Sequence, residues 1–192
     1  MAAARSPDLT RIALIGLAVL AVGIVVVGFG VIRGGGPLGG RAGPDELFPE
    51  VAGASEVGEI RIEGPEARTT LTRGSGGTWR VAEKDGYPAR GERVAEVLSA
   101  IAGMGALNRR ELDRESFASV GVTEDSGNGV RVAIDDGDGA ALARFFVGTE
   151  KAAPGAEDLR AYHVRQVDGD TVWLADADLR LPADPLSWVD DR

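Results

Sequence analysis

The hydrophobic pattern of the chain is dominated by one uncharged apolar run near its N-terminus. Residues 12–32 read IALIGLAVLAVGIVVVGFGVI and lie between Arg11 and Arg33. A helix rises about 1.5 Å per residue, so this run spans roughly 30 Å, the thickness of a bilayer's hydrocarbon core. A secretory signal has an apolar core of about 7–15 residues followed by a small-residue cleavage site. The run is longer and lacks a clear site of that kind, so it predicts an uncleaved transmembrane signal-anchor.

Three glycines recur at intervals of seven within this run, at Gly16, Gly23 and Gly30. Seven residues make nearly two helical turns, so the glycines would form one stripe along the helix. Small residues allow the backbone of another membrane helix to approach closely. The stripe is a candidate contact for a partner helix; the alternative is that glycine is simply common in membrane helices.

The run divides the chain into four parts. The linker reads RGGGPLGGRAGPDE, a composition typical of a flexible tether. Arginines flank the apolar run almost equally, but long domains translocate largely regardless of charge, so we expect a cytoplasmic N-terminus and an external C-terminal domain. The predicted parts are a tail at 1–11, a transmembrane helix at 12–32, a linker at 33–46 and a domain at 47–192.

The pattern of the C-terminal domain changes period several times. Val94, Val97, Leu98 and Ile101 follow helical spacing and predict an amphipathic helix at 90–103. Alternating or β-branched segments separated by glycine and aspartate turns predict strands elsewhere, and a loop is expected at 149–158. The predicted strands are at 60–63, 69–73, 78–82, 107–112, 130–134, 141–147, 162–167 and 171–175.

The two β regions share a spacing. Trp79 and Trp173 are each followed nine residues later by a proline, Pro88 and Pro182, which opens a segment of helical character. Asp113 is also placed to cap a short helical segment. The sequence therefore predicts an α+β fold of antiparallel β meanders with packed helices, and the spacing raises the possibility of two related meander and helix units.

Composition limits the available chemistry. Residues 42–192 carry 17 basic and 29 acidic residues, a net charge of −12, which disfavours nucleic-acid binding. The chain has no cysteine and one histidine, which argues against disulfides, thiolate metal sites and histidine-based metal sites. We expect neither a cofactor nor a bound metal.

Few residues are candidates for chemistry, and each has an ordinary structural alternative. His163 lies in a predicted strand without a recognisable orienting partner, which favours a structural role. The aspartate-rich run 135–139 is typical of a hairpin turn and lacks the ligand spacing of a calcium loop. Arg109, Arg110 and Arg114 alternate with acidic residues and predict solvated surface ion pairs. No P-loop, G-x-S-x-G or H-E-x-x-H motif occurs, so we expect a protein that is not an enzyme.

Four aromatic side chains are possible ligand contacts or core residues: Trp79, Tyr87, Trp173 and Trp188. Exposed aromatics could line a groove for glycan or peptide in the cell envelope. Because aromatics make up only 5% of the chain, the domain also needs them as core residues. Both interpretations remain open from the sequence.

The order of several short motifs resembles the domain-of-unknown-function 4340 family over about residues 47–190. This resemblance implies a bacterial, membrane-anchored extracytoplasmic domain that is often auxiliary to ABC-type transport systems and has no established catalytic residues. It leads us to expect a location in the inner membrane with a periplasmic domain, and an ABC-type permease as a possible partner. The motifs are Leu47-Phe48-Pro49, Trp79-Arg80-Val81, Tyr87-Pro88-Ala89, Ser119-Val120-Gly121-Val122, Tyr162-His163-Val164-Arg165, Val172-Trp173-Leu174 and Pro185-Leu186-Ser187-Trp188-Val189.

Overall fold

The computed structural model describes residues 46–52, 57–124, 127–153 and 156–190, the side chains of 153 and 156–159 excepted. The predicted tail, the predicted transmembrane helix and residues 33–45 of the linker lie outside this part of the chain. Within it, no helix is long and apolar enough to cross a membrane.

Nine strands form one antiparallel sheet in the described residues. Its order is β4-β3-β2-β1-β6-β7-β8-β9-β5, and every pair of neighbours is antiparallel. The predicted α+β fold with antiparallel sheet is confirmed in its coarse form, since the described residues are mostly antiparallel strand with few helices. The strands are Val57–Glu63 (β1), Arg68–Arg73 (β2), Trp79–Val81 (β3), Tyr87–Pro88 (β4), Gly105–Arg110 (β5), Val130–Asp136 (β6), Ala141–Ala153 (β7), Ala156–Gln166 (β8) and Val172–Asp176 (β9).

The first meander, β1–β4, joins the second, β6–β9, through the pairing of β1 with β6. Ile60 lies opposite Ile134, and Ile62 lies opposite Val132. All four side chains are fully buried. They belong to one hydrophobic cluster because alternate residues of a strand point to the same face. The two meanders therefore share a single core.

An α-helix, α1 (Gly91–Ala102), packs on this core face. Its buried residues, Val94, Val97, Leu98 and Ile101, have the i, i+3, i+4, i+7 spacing of one helix face. The helix predicted at 90–103 is thus confirmed. The four side chains belong to the same cluster as the buried residues of the sheet, so helix and sheet bury one another's apolar surface.

The opposite face of the sheet carries a smaller cluster of Phe117, Val122, Phe146 and Val172. Arg165 of β8 lies over two of these rings, with its guanidinium carbon 5.2 Å from the Phe117 centroid and 4.9 Å from the Phe146 centroid. Its Nε donates a hydrogen bond to the Val122 carbonyl at 2.9 Å. This arginine therefore fastens the segment before β6 onto the sheet.

That segment contains two 3₁₀ helices, Arg114–Ser116 and Ala118–Val120. The Asp113 side chain accepts a hydrogen bond from the Ser116 amide at 2.9 Å, which confirms the predicted cap. Gly121 ends the segment with φ of 78°, a left-handed conformation that glycine adopts without steric cost.

The loop predicted at 149–158 is wrong. β7 continues to Ala153 and β8 begins at Ala156, so the two strands form a ribbon. In the described residues, β6 accompanies β7 only as far as Val147, and β9 accompanies β8 only from Ala161. After Val147 in β7 and before Ala161 in β8, the described residues of the two strands pair only with each other and bury no hydrophobic face. Their sequence therefore lacks the alternation of apolar and polar residues from which a strand is predicted.

Replacement of Gly148 by alanine should destabilise the domain. A Cβ at this position would lie 1.8 Å from the carbonyl oxygen of Val120, so the backbone of one segment would have to move. We expect a loss of about 1–3 kcal/mol in the free energy of unfolding, typical of overpacking, measured by urea titration of the full chain. Gly76→Ala is the control because its Cβ would meet no atom within 4 Å. Equal stability of the two variants would contradict the close approach.

Candidate functional site

The candidate aromatic residues do not form one surface. Trp79 and Trp188 are buried at 8% and 0% exposure, and both belong to the main core cluster. The Trp188 Nε1 donates to the Pro182 carbonyl at 2.8 Å, which satisfies the polar group of the buried ring. Of the two interpretations, ligand contact or core residue, the structure therefore supports the core role for Trp79 and Trp188.

The other two aromatics are accessible but far apart across the sheet. Tyr87 is 51% exposed on β4, and Trp173 is half-buried on β9. Seven strand positions separate β4 from β9 in the sheet order. Since neighbouring strands are about 4.8 Å apart, the two rings do not line a common groove. Gly16, Gly23 and Gly30, the candidate contacts in the apolar run, lie outside the described residues.

His163 lies on β8 at 6% exposure. Its Nδ1 is 3.1 Å from the backbone carbonyl oxygen of Thr149 and 3.2 Å from the hydroxyl of the same residue. Burial lowers the pKa of His163, the Thr149 carbonyl opposes this, and the cations Arg110 and Lys151 lower the pKa further. The charged neighbours that act on this imidazole are cationic, whereas a general base is commonly oriented by a carboxylate. The geometry favours a structural role.

Asp135 is a buried carboxylate on the sheet face opposite α1. The aspartate-rich sequence around it predicts a turn. The structure puts it at the end of β6, with 5% of its surface exposed. Its Oδ2 is 2.7 Å from Nη2 of Arg61 on β1, and its Oδ1 accepts a hydrogen bond from Nη2 of Arg144 on β7. The hairpin turn itself follows, with the Asp136 carboxylate accepting from the amides of Asp138 and Ala140.

Both neighbours of β6 are irregular beside Asp135. The register of β1 shifts between Val57 and Glu59, and that of β7 shifts opposite Ile134 and Asp135. Bulges of this kind redirect side chains, here so that two arginines reach one carboxylate. Because both carboxylate oxygens contact guanidinium groups, the cluster ties three strands together. No sequence motif marks it, since its members are 74 and 9 residues apart.

An open groove of about 1110 Å³ lies between α1 and the chain that follows β9. It is lined by Val97, Ala100 and Ala177 together with acidic and basic side chains of α1 and of residues 176–180. Arg93, which also lines the groove, donates to the Ser187 carbonyl at 2.7 Å and lies over the Trp188 ring. Among the described residues, no group of three or more histidine, aspartate or glutamate side chains is placed to hold a metal ion.

The predicted basic cluster is only partly ion-paired. Arg114 pairs with Asp170 at 2.5 Å, and both side chains are exposed. The Asp113 carboxylate accepts hydrogen bonds from Ser116, and these hydrogen bonds lower the pKa of Asp113. Within the described part of the chain, Arg109 and Arg110 make no hydrogen bond or ion pair. The expectation that all three arginines form surface ion pairs is therefore wrong for these two.

The free energy of unfolding should decrease as the pH is lowered, and His163 should contribute to that decrease. Its pKa in the folded chain is below the unfolded value of about 6.5, so the unfolded chain takes up the proton first. The contribution is complete above pH 6.5 and is lost as the pH falls through the folded-state pKa, with a slope of at most about 1.4 kcal/mol per pH unit. His163→Gln should flatten the fall in urea midpoint between pH 7 and 5. An unchanged slope in the variant would contradict this account of the buried imidazole.

The family assignment rests on a sequence comparison. The profile of the family described as Domain of unknown function (DUF4340) matches residues 79–192, which is more than half of the chain and begins at Trp79 of β3. Comparison with curated proteins and comparison with solved structures each gave no match. On the extent of the profile match, the chain belongs to the DUF4340 family.

Proposed function

We propose that this protein is a single-pass protein of the bacterial inner membrane whose periplasmic domain is a non-catalytic accessory or assembly component of an ABC-type transport system. The observation that carries the proposal is the order of parts in the sequence. An uncharged run of spanning length comes first, a glycine-rich tether follows, and a domain of the DUF4340 family completes the chain. That family resemblance is also the source of the link to transport systems.

The tether supports a role in which the domain samples the membrane surface. A glycine-rich coil of 14 residues has a root-mean-square end-to-end distance of about 20 Å. A partner in the same membrane would therefore meet the domain at a high effective concentration. With the N-terminus in the cytoplasm, the domain would act on the periplasmic side, and the stripe of Gly16, Gly23 and Gly30 would be free to pack against a permease helix.

The charged groups of the described domain support a non-catalytic role. The most buried carboxylate, Asp135, is held by Arg61 and Arg144, and the buried His163 is hydrogen-bonded to Thr149. Each of these groups has partners that explain its burial. Their roles in holding the sheet together leave the domain suited to contact rather than to proton transfer.

We also infer that the two meanders are related units. In support, β1 and β6 pair at the centre of the sheet, and each is followed by strands added outward on its own side. The second helical segment is the short 3₁₀ helix Pro185–Trp188. Trp79 lies on the third strand of its meander and Trp173 on the fourth, so the inference rests on the strand arrangement and not on the shared tryptophan spacing.

The alternative function is an envelope module that binds glycan or peptide through exposed aromatics. Trp79 and Trp188 are core residues, and the accessible rings of Tyr87 and Trp173 lie on distant strands. This arrangement does not favour the alternative, because a glycan platform needs neighbouring exposed rings.

Affinity purification of the full chain from detergent-solubilised membranes tests the proposal. We expect a permease and an ATPase to be recovered with it, and we expect Gly16→Leu, Gly23→Leu and Gly30→Leu together to reduce that recovery. The added side chains would keep the backbones of the two helices apart while leaving the run apolar. Membrane fractionation should show the same insertion for the variant.

The matched control is Ala18→Leu with Ala21→Leu, because a helix turns by about 100° per residue and places these alanines on the opposite side from the stripe. Recovery of the protein without any transport component would contradict the accessory role. Equal recovery with the glycine and alanine variants would show that the run is only a tether.

A further inference from the structure

The two edges of the sheet differ in how they are covered. At one edge, β4 is two residues long, and the C-terminal segment lies against it. Val189 forms an isolated bridge with Ala89, and the amide of Asp190 donates to the Pro88 carbonyl at 3.0 Å. A short strand that contains proline and has a covering segment offers little to another chain.

At the other edge, β5 pairs with β9 on its inner side. On its outer side, the only described pairing is the bridge between Glu46 and Gly105. Among the described residues, no strand pairs with the outer side of residues 106–110, a stretch of about 17 Å at roughly 3.4 Å per residue. An edge of this kind can accept an extended segment, which adds to the sheet through main-chain hydrogen bonds.

The side chains of β5 indicate the chemistry of that segment. Arg109 is exposed and Arg110 is half-buried, and they lie on opposite faces because successive strand residues alternate. Neither has a hydrogen bond or ion pair within the described part of the chain. These two unpaired cations lie on the open edge of a domain that is strongly acidic overall.

A bulge adds an apolar contact to the same edge. The register of β5 against β9 shifts between Ala106 and Asn108, and Leu107 between them is 39% exposed. An incoming strand with acidic residues on both of its faces and an apolar residue near Leu107 would match both features. A second copy of this chain would instead bring its own arginines against Arg109 and Arg110, and like charges on neighbouring strands disfavour that pairing.

We propose that the outer edge of β5 binds an extended acidic polypeptide segment of a partner protein by strand addition. The inference concerns the described domain and holds whether or not the partner belongs to a transport system. It goes beyond the accessory role because it specifies the contact surface and the charge and conformation of what binds there.

The probe is a synthetic eight-residue peptide in which pairs of glutamates alternate with pairs of valines, so that both faces carry carboxylates. It bears fluorescein at one end, is blocked at the other, and is added to the full chain in neutral detergent. We expect binding by fluorescence anisotropy, and slower hydrogen exchange at residues 106–110. Replacement of the glutamates by lysine, or N-methylation along one edge of the peptide, should abolish binding. The first change removes the charge match, and the second removes the donors for the sheet.

Arg109→Glu with Arg110→Glu should weaken binding about tenfold at low salt, since the charge contacts of the exposed Arg109 and the half-buried Arg110 are both reversed. Arg68→Glu with Arg180→Glu is the control: it makes the same change in net charge at exposed positions off the β5 edge and should alter binding less than about twofold. A milder pair, Arg109→Gln with Arg110→Gln, should give an intermediate loss if the reversed variant fails to fold.

Several results would overturn the proposal. These are equal binding of the glutamate and lysine peptides, protection confined to residues outside 105–110, and equal losses in the β5 and control variants. Protection of β5 that rises with protein concentration in the absence of peptide would assign the edge to a second copy of the chain instead.

Discussion

The pairing of β1 with β6 is the contact on which the rest of the structure depends. It joins residues 68 to 79 positions apart, so the loop that it closes is long and its entropy cost must be offset by what the pairing buries. Ile60, Ile62, Val132 and Ile134 supply that burial on one face. On the other face, Asp135 bridges β1 and β7 through Arg61 and Arg144. Without this pairing, each meander would be a small sheet with an open inner edge.

The remaining elements follow from that central pair. Strands add outward from β1 and from β6, and α1 covers the shared core face. The chain crosses from β4 through α1 to reach the far edge as β5, and after β9 it returns to cover β4. One consequence is an asymmetric sheet in the described residues: the C-terminal segment covers one edge, whereas the other is bridged only by Glu46 at Gly105.

Local patterns predicted most of the elements, whereas long-range contacts defined the candidate sites. The helical spacing from Val94 to Ile101 and the cap at Asp113 depend on neighbours within a few residues, so the sequence displays them directly. The ribbon beyond Val147 has no buried face and therefore no periodic signal. Asp135 looked like part of a turn because its arginine partners belong to other strands. The free edge of β5 could not be predicted either, since it depends on which strand lies next to β9.

These features combine into an account in which a membrane-tethered domain presents an open strand edge to a partner in a transport system. Photo-crosslinking in native membranes tests it most directly, with a photoreactive amino acid placed at Asn108 on the open edge or at Tyr87 on the closed one. Both positions are exposed. The account predicts an adduct between Asn108 and a subunit of an ABC-type transporter, with little or none from Tyr87. Crosslinks to a transporter from Tyr87 alone, or the absence of any transporter adduct from Asn108, would contradict it.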